Sequence, residues 1–192
     1  MYFIKSDSVE LIKSIRFLLG NEKCIVEENE KKIIIRGNIQ QLDIFLKEKK
    51  FLSYNNCLNM LFDLEKQNRL LLKHSLCIFC IRTEDILIVD GEKFVFVNSC
   101  HLKKVDSNGK ITFFSPFSRL GFFSPELSSI SILPSTVSWK TFYYSLGLLI
   151  MSCVSEKKNL IESLKHVEKT KLYWAILRLT ALDCEKRCFL YI

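Results

Sequence analysis

The pattern of apolar residues predicts an α+β fold in two unequal parts, a small one over residues 1–37 and a larger, mainly helical one over residues 38–192. Three observations predict it. Long stretches repeat apolar residues at three- and four-residue spacing, short runs rich in Ile, Val and Phe lie between polar turns, and the pairs Asp90-Gly91 and Asn108-Gly109 each separate two such runs.

The first helix is expected over Val9, Leu11, Ile12, Ile15, Phe17, Leu18 and Leu19, whose spacing gives one apolar face, with Ser8 as its N-cap. Two strands follow, Cys24 to Glu28 and Lys32 to Arg36, around the polar turn Asn29-Glu30; Ile33, Ile34 and Ile35 favour extended backbone. Gly37-Asn38 punctuates the chain, and Gln41 to Lys49 reads as a short amphipathic helix. A longer helix is expected from Ser53 to Lys73, with Leu58, Leu61, Phe62, Leu64 and Leu71 on its apolar positions. One hairpin should join Ile86–Val89 to Phe94–Val97 through Asp90-Gly91, and a second Leu102–Val105 to Ile111–Phe114 through Asn108-Gly109. Phe142 to Val154 is shorter than the roughly 18 apolar residues of a spanning helix. Interrupted by Ser145, Gly147 and Ser152, it reads as a buried core helix. Leu160 to Val167 and Leu172 to Leu182 read as two further helices, the second carrying Trp174, Ile176, Leu177 and Leu179; Trp139 and Trp174 are expected to be packing residues.

Composition excludes several classes. Hydrophobic residues make up 48% and aromatics 12%, with little Gly or Pro, the profile of a chain that folds around a core. The start, MYFIKSDSVE, has no basic region followed by an apolar run, so no signal peptide is expected and the cytoplasm or nucleus is the expected compartment. The formal charge of +7 invites a nucleic-acid reading, but Lys31-Lys32, Lys47 to Lys50 and Lys103-Lys104 are scattered rather than drawn into a stripe, which points to a solvated surface. Cys77-x-x-Cys80 and Cys184-x-x-x-Cys188 have zinc-like spacings. The first pair lies in the apolar run LCIFCI without a bending Gly or Pro, so buried thiols are the expected reading.

The stretch Ile78 to Leu102, IFCIRTEDILIVDGEKFVFVNSCHL, resembles the catalytic loop and metal-binding strand pair of a eukaryotic protein kinase. In that family the loop reads His-Arg-Asp-Leu-Lys-Pro-Glu-Asn. The register set by Glu84, Ile86 and Leu87 puts Ile78 to Asp85 there, so the catalytic Asp falls on Cys80 and the family's Lys on Arg82. The magnesium-binding Asp-Phe-Gly falls on Asn98-Ser99-Cys100. Phosphoryl transfer needs a carboxylate to orient the attacking hydroxyl and carboxylates to hold the metal. A thiol with an ordinary pKa of about 8.5 is a poor substitute for the first. Asp85 and Asn98 reverse the family's order of Asn and Asp, leaving one carboxylate and one carbonyl oxygen as weak candidate metal ligands.

The resemblance extends further. Ser124-Pro125-Glu126 is similar to the Ala-Pro-Glu motif, and Leu182-Asp183-Cys184-Glu185-Lys186-Arg187 to the segment whose Arg pairs with that Glu, so Arg187 is the expected structural partner of Glu126. Tyr144-Ser145-Leu146-Gly147 is similar to the start of the large lobe's central helix, with Phe142 in place of an anchoring Asp, and Arg119 replaces a Ser/Thr that helps to engage substrate. Glu10 stands where an ion-pairing Glu is expected, with no strand expected for its Lys partner. Ser115 and Ser118 are expected to be ordinary loop polarity rather than phosphorylation sites. At 192 residues the chain is shorter than a whole kinase. The resemblance therefore implies a kinase-like fold with a reduced N-lobe that lacks the Gly-rich hairpin. It implies no catalytic residues and no cofactor, and a role as a pseudokinase that binds protein, a kinase or kinase substrate or a second copy. The alternative is a divergent serine/threonine kinase that retains ATP and magnesium.

Overall fold

The computed structural model describes residues 1–27, 31–155 and 160–189. The turn expected at Asn29-Glu30 and the last residue of the strand expected to end at Glu28 lie outside them. The architecture is mixed α+β, with helices packed around four small antiparallel sheets among the described residues.

The first part is a three-stranded sheet of order β1-β3-β2 with one helix on it: β1 (Tyr2–Lys5), α1 (Val9–Leu19), β2 (Cys24–Glu27) and β3 (Lys32–Ile35). Ser8 caps α1 by accepting from the Leu11 N–H, as its sequence position predicts. Leu11, Ile12, Ile15 and Leu19 are buried with Ile4, Ile33 and Ile35 in the main core. The strand β1 corrects the expectation that no strand precedes α1. Only Ile4 of its residues is buried, too little apolar signal for periodicity to register. Its register of Phe3 against Ile34 comes from pairing, which sequence spacing does not encode.

Gly37-Asn38 leads into β4 (Ile39–Gln41), another unexpected strand, then α2 (Leu42–Lys49) and α3 (Tyr54–Leu72), which Ser53 caps through the Asn56 N–H. Helix α3 buries a row of polar groups whose purpose is to serve strands. Asp63 accepts from the Phe94 N–H at 3.1 Å, Gln67 both accepts from the Phe96 N–H and donates to its carbonyl at 2.8 Å, and Asn68 accepts from the Ile78 N–H at 3.0 Å. These are backbone groups on β5 (Leu76–Ile78) and on β7 (Lys93–Phe96), an edge of the sheet β4-β6-β7, where β6 is Ile86–Val89. Without α3 they would be buried and unpaired, at about 1–3 kcal/mol each. Gln67 also donates to Ser14 of α1 at 3.1 Å, tying the two parts together.

The first hairpin forms as expected, with Asp90 and Gly91 both at positive φ, 53° and 79°. The second does not. Asp106 accepts from the N–H groups of Asn108 and Lys110, making a wider turn, and the flanking strands meet at the single bridge Val105–Ile111 before parting. There β8 (Leu102–Lys104) pairs with β5, and β9 (Lys110–Phe113) with β10 (Ser135–Ser138).

Helix α4 (Pro125–Ser128) precedes α5 (Thr141–Val154), whose Phe142, Leu146, Leu149, Ile150 and Cys153 are fully buried, the expected interior helix. A Cβ on Gly147 would lie 2.5 Å from Thr180 Cγ2, so only glycine lets α5 approach the end of α7 (Lys171–Leu179) so closely. α6 (Leu160–Lys165) lies between them in sequence. No helix among the described residues is long and apolar enough to cross a membrane. Trp139 packs on Tyr143, but Trp174 is 56% exposed, against expectation, because α7 turns Leu172, Ala175, Ile176 and Leu179 to the core instead.

Candidate functional site

The end of β5 and the loop from it to β6 hold the residues aligned with the kinase catalytic loop, and two interactions fix the start of this stretch. Asn68 holds Ile78, and the Phe79 N–H donates to the His101 carbonyl at 3.1 Å. The next residue, Cys80, is fully buried. Its thiol donates to the Leu120 carbonyl at 3.5 Å, and Phe122 bridges to Ile81 through an N–H donated at 3.0 Å. The chain at 120–122 therefore lies directly on the loop. Gly121 makes this possible: its φ of 115° suits glycine, and a Cβ there would sit 2.6 Å from Arg82 Cγ and 2.8 Å from the Ile81 carbonyl. Burial, and then the nearby Asp85 charge, push the Cys80 thiol up to about 12. At neutral pH it is an uncharged, enclosed group with no capacity to act as a base.

Asp85 ends a short 3-10 turn, Thr83–Asp85, and is the hub of the site. Arg82 donates to it through Nε at 3.2 Å and Nη2 at 3.0 Å, Asn98 through Nδ2 at 2.7 Å, and the Arg82 backbone N–H adds a bond at 3.3 Å. His101 Nδ1 lies 2.8 Å from Oδ2. Burial acts to raise the Asp85 pKa, but the bonds from His101, Arg82 and Asn98 outweigh it and hold the carboxyl down at about 2. An ionised carboxylate has no proton to give, so Nδ1 of His101 is the donor.

That geometry decides what the site can hold. A carboxylate offers about four lone-pair directions, and five donors already converge on this one. Asn98 spends its Oδ1 on the Cys100 N–H at 3.0 Å and turns its amide nitrogen to Asp85. The two weak candidate ligands are thus brought together but bonded to each other, with a guanidinium where a cation would have to sit. They do not fit a magnesium ion. Among the described residues no group of three His, Cys, Asp or Glu could hold a metal.

Glu126 and Arg187 also meet. Nη1 donates to Oε1 and Nη2 to Oε2, the latter at 2.9 Å, while Nε and Nη2 reach the carbonyls of Ala181 and Leu182. The guanidinium lies 4.9 Å from the Tyr144 ring centroid and is fully buried. Burial acts most strongly and would raise the Glu126 pKa, but the Arg187 hydrogen bonds and charge, with a backbone bond and Ser124, together outweigh it and lower the pKa, so the acid stays ionised. Glu10 pairs with Lys13 at 3.0 Å and with His74 at 3.2 Å, while Lys5, at the end of β1, makes no ion pair with it.

Sequence reasoning missed His101 and Phe79. His101 closes the 3-10 turn that Asn98 caps, and the capping tendency of Asn is the sequence signal for that turn. Phe79 stands at the family's loop Arg and stacks on Phe113, Phe117 and His101 at 5.2–5.7 Å, an apolar contact with nothing to mark it in the sequence. The four cysteines with zinc-like spacing are all free thiols, Cys77 and Cys80 buried and Cys184 and Cys188 partly so. Neither a protein-family model nor a curated protein matches this chain.

Proposed function

We propose that this chain is a kinase-like pseudoenzyme, with a small N-terminal lobe on a mainly helical C-terminal lobe, that acts by binding another protein. The observation that carries the reading is the fate of Asp85. The carboxylate left beside the loop is committed to Arg82, Asn98 and His101, so it orders the loop instead of holding a metal. Cys80, uncharged and covered by Leu120 to Phe122, supports the same reading. So does the retention of the Glu126–Arg187 pair, which maintains shape and performs no chemistry.

The test is nucleotide-dependent thermal stabilisation with and without magnesium. The expected result is no shift in melting temperature with ATP at millimolar concentration. A shift that requires magnesium and disappears in Asp85→Ala would instead establish the divergent serine/threonine kinase.

A further inference from the structure

The segment that covers Cys80 has an outer side as well. Phe114 and Leu120 are 80% and 65% exposed there, and Ile132, on the neighbouring loop, is 77% exposed. Between the two stretches runs a groove of about 160 Å³ lined by Pro116, Phe117, Arg119, Ile130, Ser131 and Leu133. Its floor is firm: the Phe117 ring packs 4.6 Å from Phe113 and 5.7 Å from Phe79, which the buried loop fixes in turn.

Two properties of this groove specify what fits it. Arg119 donates from Nη2 to the Ile130 carbonyl at 2.5 Å, which pins the guanidinium across the groove, and no carboxylate among the described residues pairs with it. Lys103 lies over the Phe113 ring at 5.7 Å, with Lys104 and Lys110 nearby in sequence, and the only acid from Asn98 to Pro125 is Asp106, already bonded to its own turn. Arg119 is the charged side chain among the residues that line the groove. The second property is the main chain: Ser115, Phe117 and Ser118 make no backbone hydrogen bond with other described residues, leaving donors and acceptors for an extended strand. A single arginine in an apolar rim does not offer cations at phosphate spacing, which disfavours a nucleic acid.

We infer that this groove docks an extended, acidic and apolar segment of another protein, an apolar side chain entering between Phe117 and Leu133 while a carboxylate reaches Arg119. This rests on the protein-binding reading above and gives the partner its chemistry. Occupancy buries Leu120 and Ile132 and gives Arg119 the carboxylate it lacks, a charge-assisted bond of bidentate geometry.

The experiment selects binders from a phage-displayed library of random decapeptides on the full chain, then measures enriched peptides by fluorescence polarisation. The expected pool carries Asp or Glu beside Leu, Ile, Val or Phe, and its affinity falls at least tenfold on Arg119→Glu and at least fivefold on the double change Leu120→Ser, Ile132→Ser. All three side chains are exposed, and unchanged thermal unfolding shows that the variants remain folded. A neutral or basic pool, no enrichment, or affinity untouched by both variants overturns the proposal. Serine-containing binders are also incubated with ATP and magnesium and weighed by mass spectrometry. Phosphate on a bound peptide would leave the groove standing while removing the non-enzymatic reading, so the two fail separately.

Discussion

Asp85 and Glu126 are both acids held ionised by an arginine, yet they do different work. Asp85 gathers donors from within its own neighbourhood, Arg82, Asn98 and His101, and so knits one loop to the next strand pair. Glu126 reaches 61 residues along the chain to Arg187 and fastens the stretch around Arg187 to α4, which lies in sequence between the two stretches lining the groove. A local cluster orders a site; a long-range pair closes a fold. The first is saturated by donors, and what it does in this structure is hold the loop in place.

The largest effect is expected from breaking the long-range pair. Arg187 is fully buried and serves Glu126, two carbonyls and the Tyr144 ring, so Arg187→Ala should cost about 3–5 kcal/mol in chemical denaturation. Glu126→Gln, which keeps one acceptor and is partly exposed, should cost less. A loss below about 1 kcal/mol for Arg187→Ala would mean that the segments are held together by packing alone.

Next comes a change that inserts the carboxylate a kinase would carry. Cys80→Asp places a charge in a fully enclosed site beside Asp85, so it should destabilise by about 2 kcal/mol or more and transfer no phosphate to a generic protein substrate. Phosphate incorporation by this variant would show that the surrounding machinery is intact and only the base is missing.

Breaking the local cluster should cost less and should show its sign in pH. The Asp85 pKa is lowered from 3.8 to about 2, so its contribution is present in full above pH 4 and is lost as pH falls through about 2. Asp85→Asn should lose about 1–2 kcal/mol at neutral pH, since Arg82 is partly solvated and recovers water, and should flatten the acid limb between about pH 4 and 2. Asp63 and Glu65 work in the opposite direction: burial raises both, so their share of stability is present at low pH and falls as pH rises through their raised values. An unchanged acid limb in Asp85→Asn would move the acid sensitivity to Glu126.

The same contrast governs what the sequence revealed. Helices α1, α3 and α5 were legible because long apolar periodicities and the caps Ser8 and Ser53 are local signals. The strands β1, β4, β5 and β10 were not, since three or four residues carry little periodicity and their partners are chosen by tertiary contact. Asn108-Gly109 marked a turn but not the pairing beyond it, because Asp106 widened that turn. At the site, residue identities located Cys80, Asp85 and Asn98, while the saturation of Asp85 depended on the directions taken by Asn98 and His101, which spacing does not fix.

The smallest expected effect decides how far the local cluster is from a metal site. Asn98→Asp would put a second carboxylate where the Asn98 amide now donates to Asp85 at 2.7 Å, replacing a bond with a like-charge contact. The loss should be about 1 kcal/mol at neutral pH and should shrink as the solution is acidified, because protonating either acid restores a donor. Asn98→Ala, which only deletes the bond, should not show that pH dependence. Magnesium at millimolar concentration is expected to leave Asn98→Asp no more stable, since Arg82 already occupies the approach to Asp85. Rescue by magnesium would show that a single carboxylate separates this loop from a metal centre, and the contrast between an ordering acid and a catalytic one would rest on Asn98 alone.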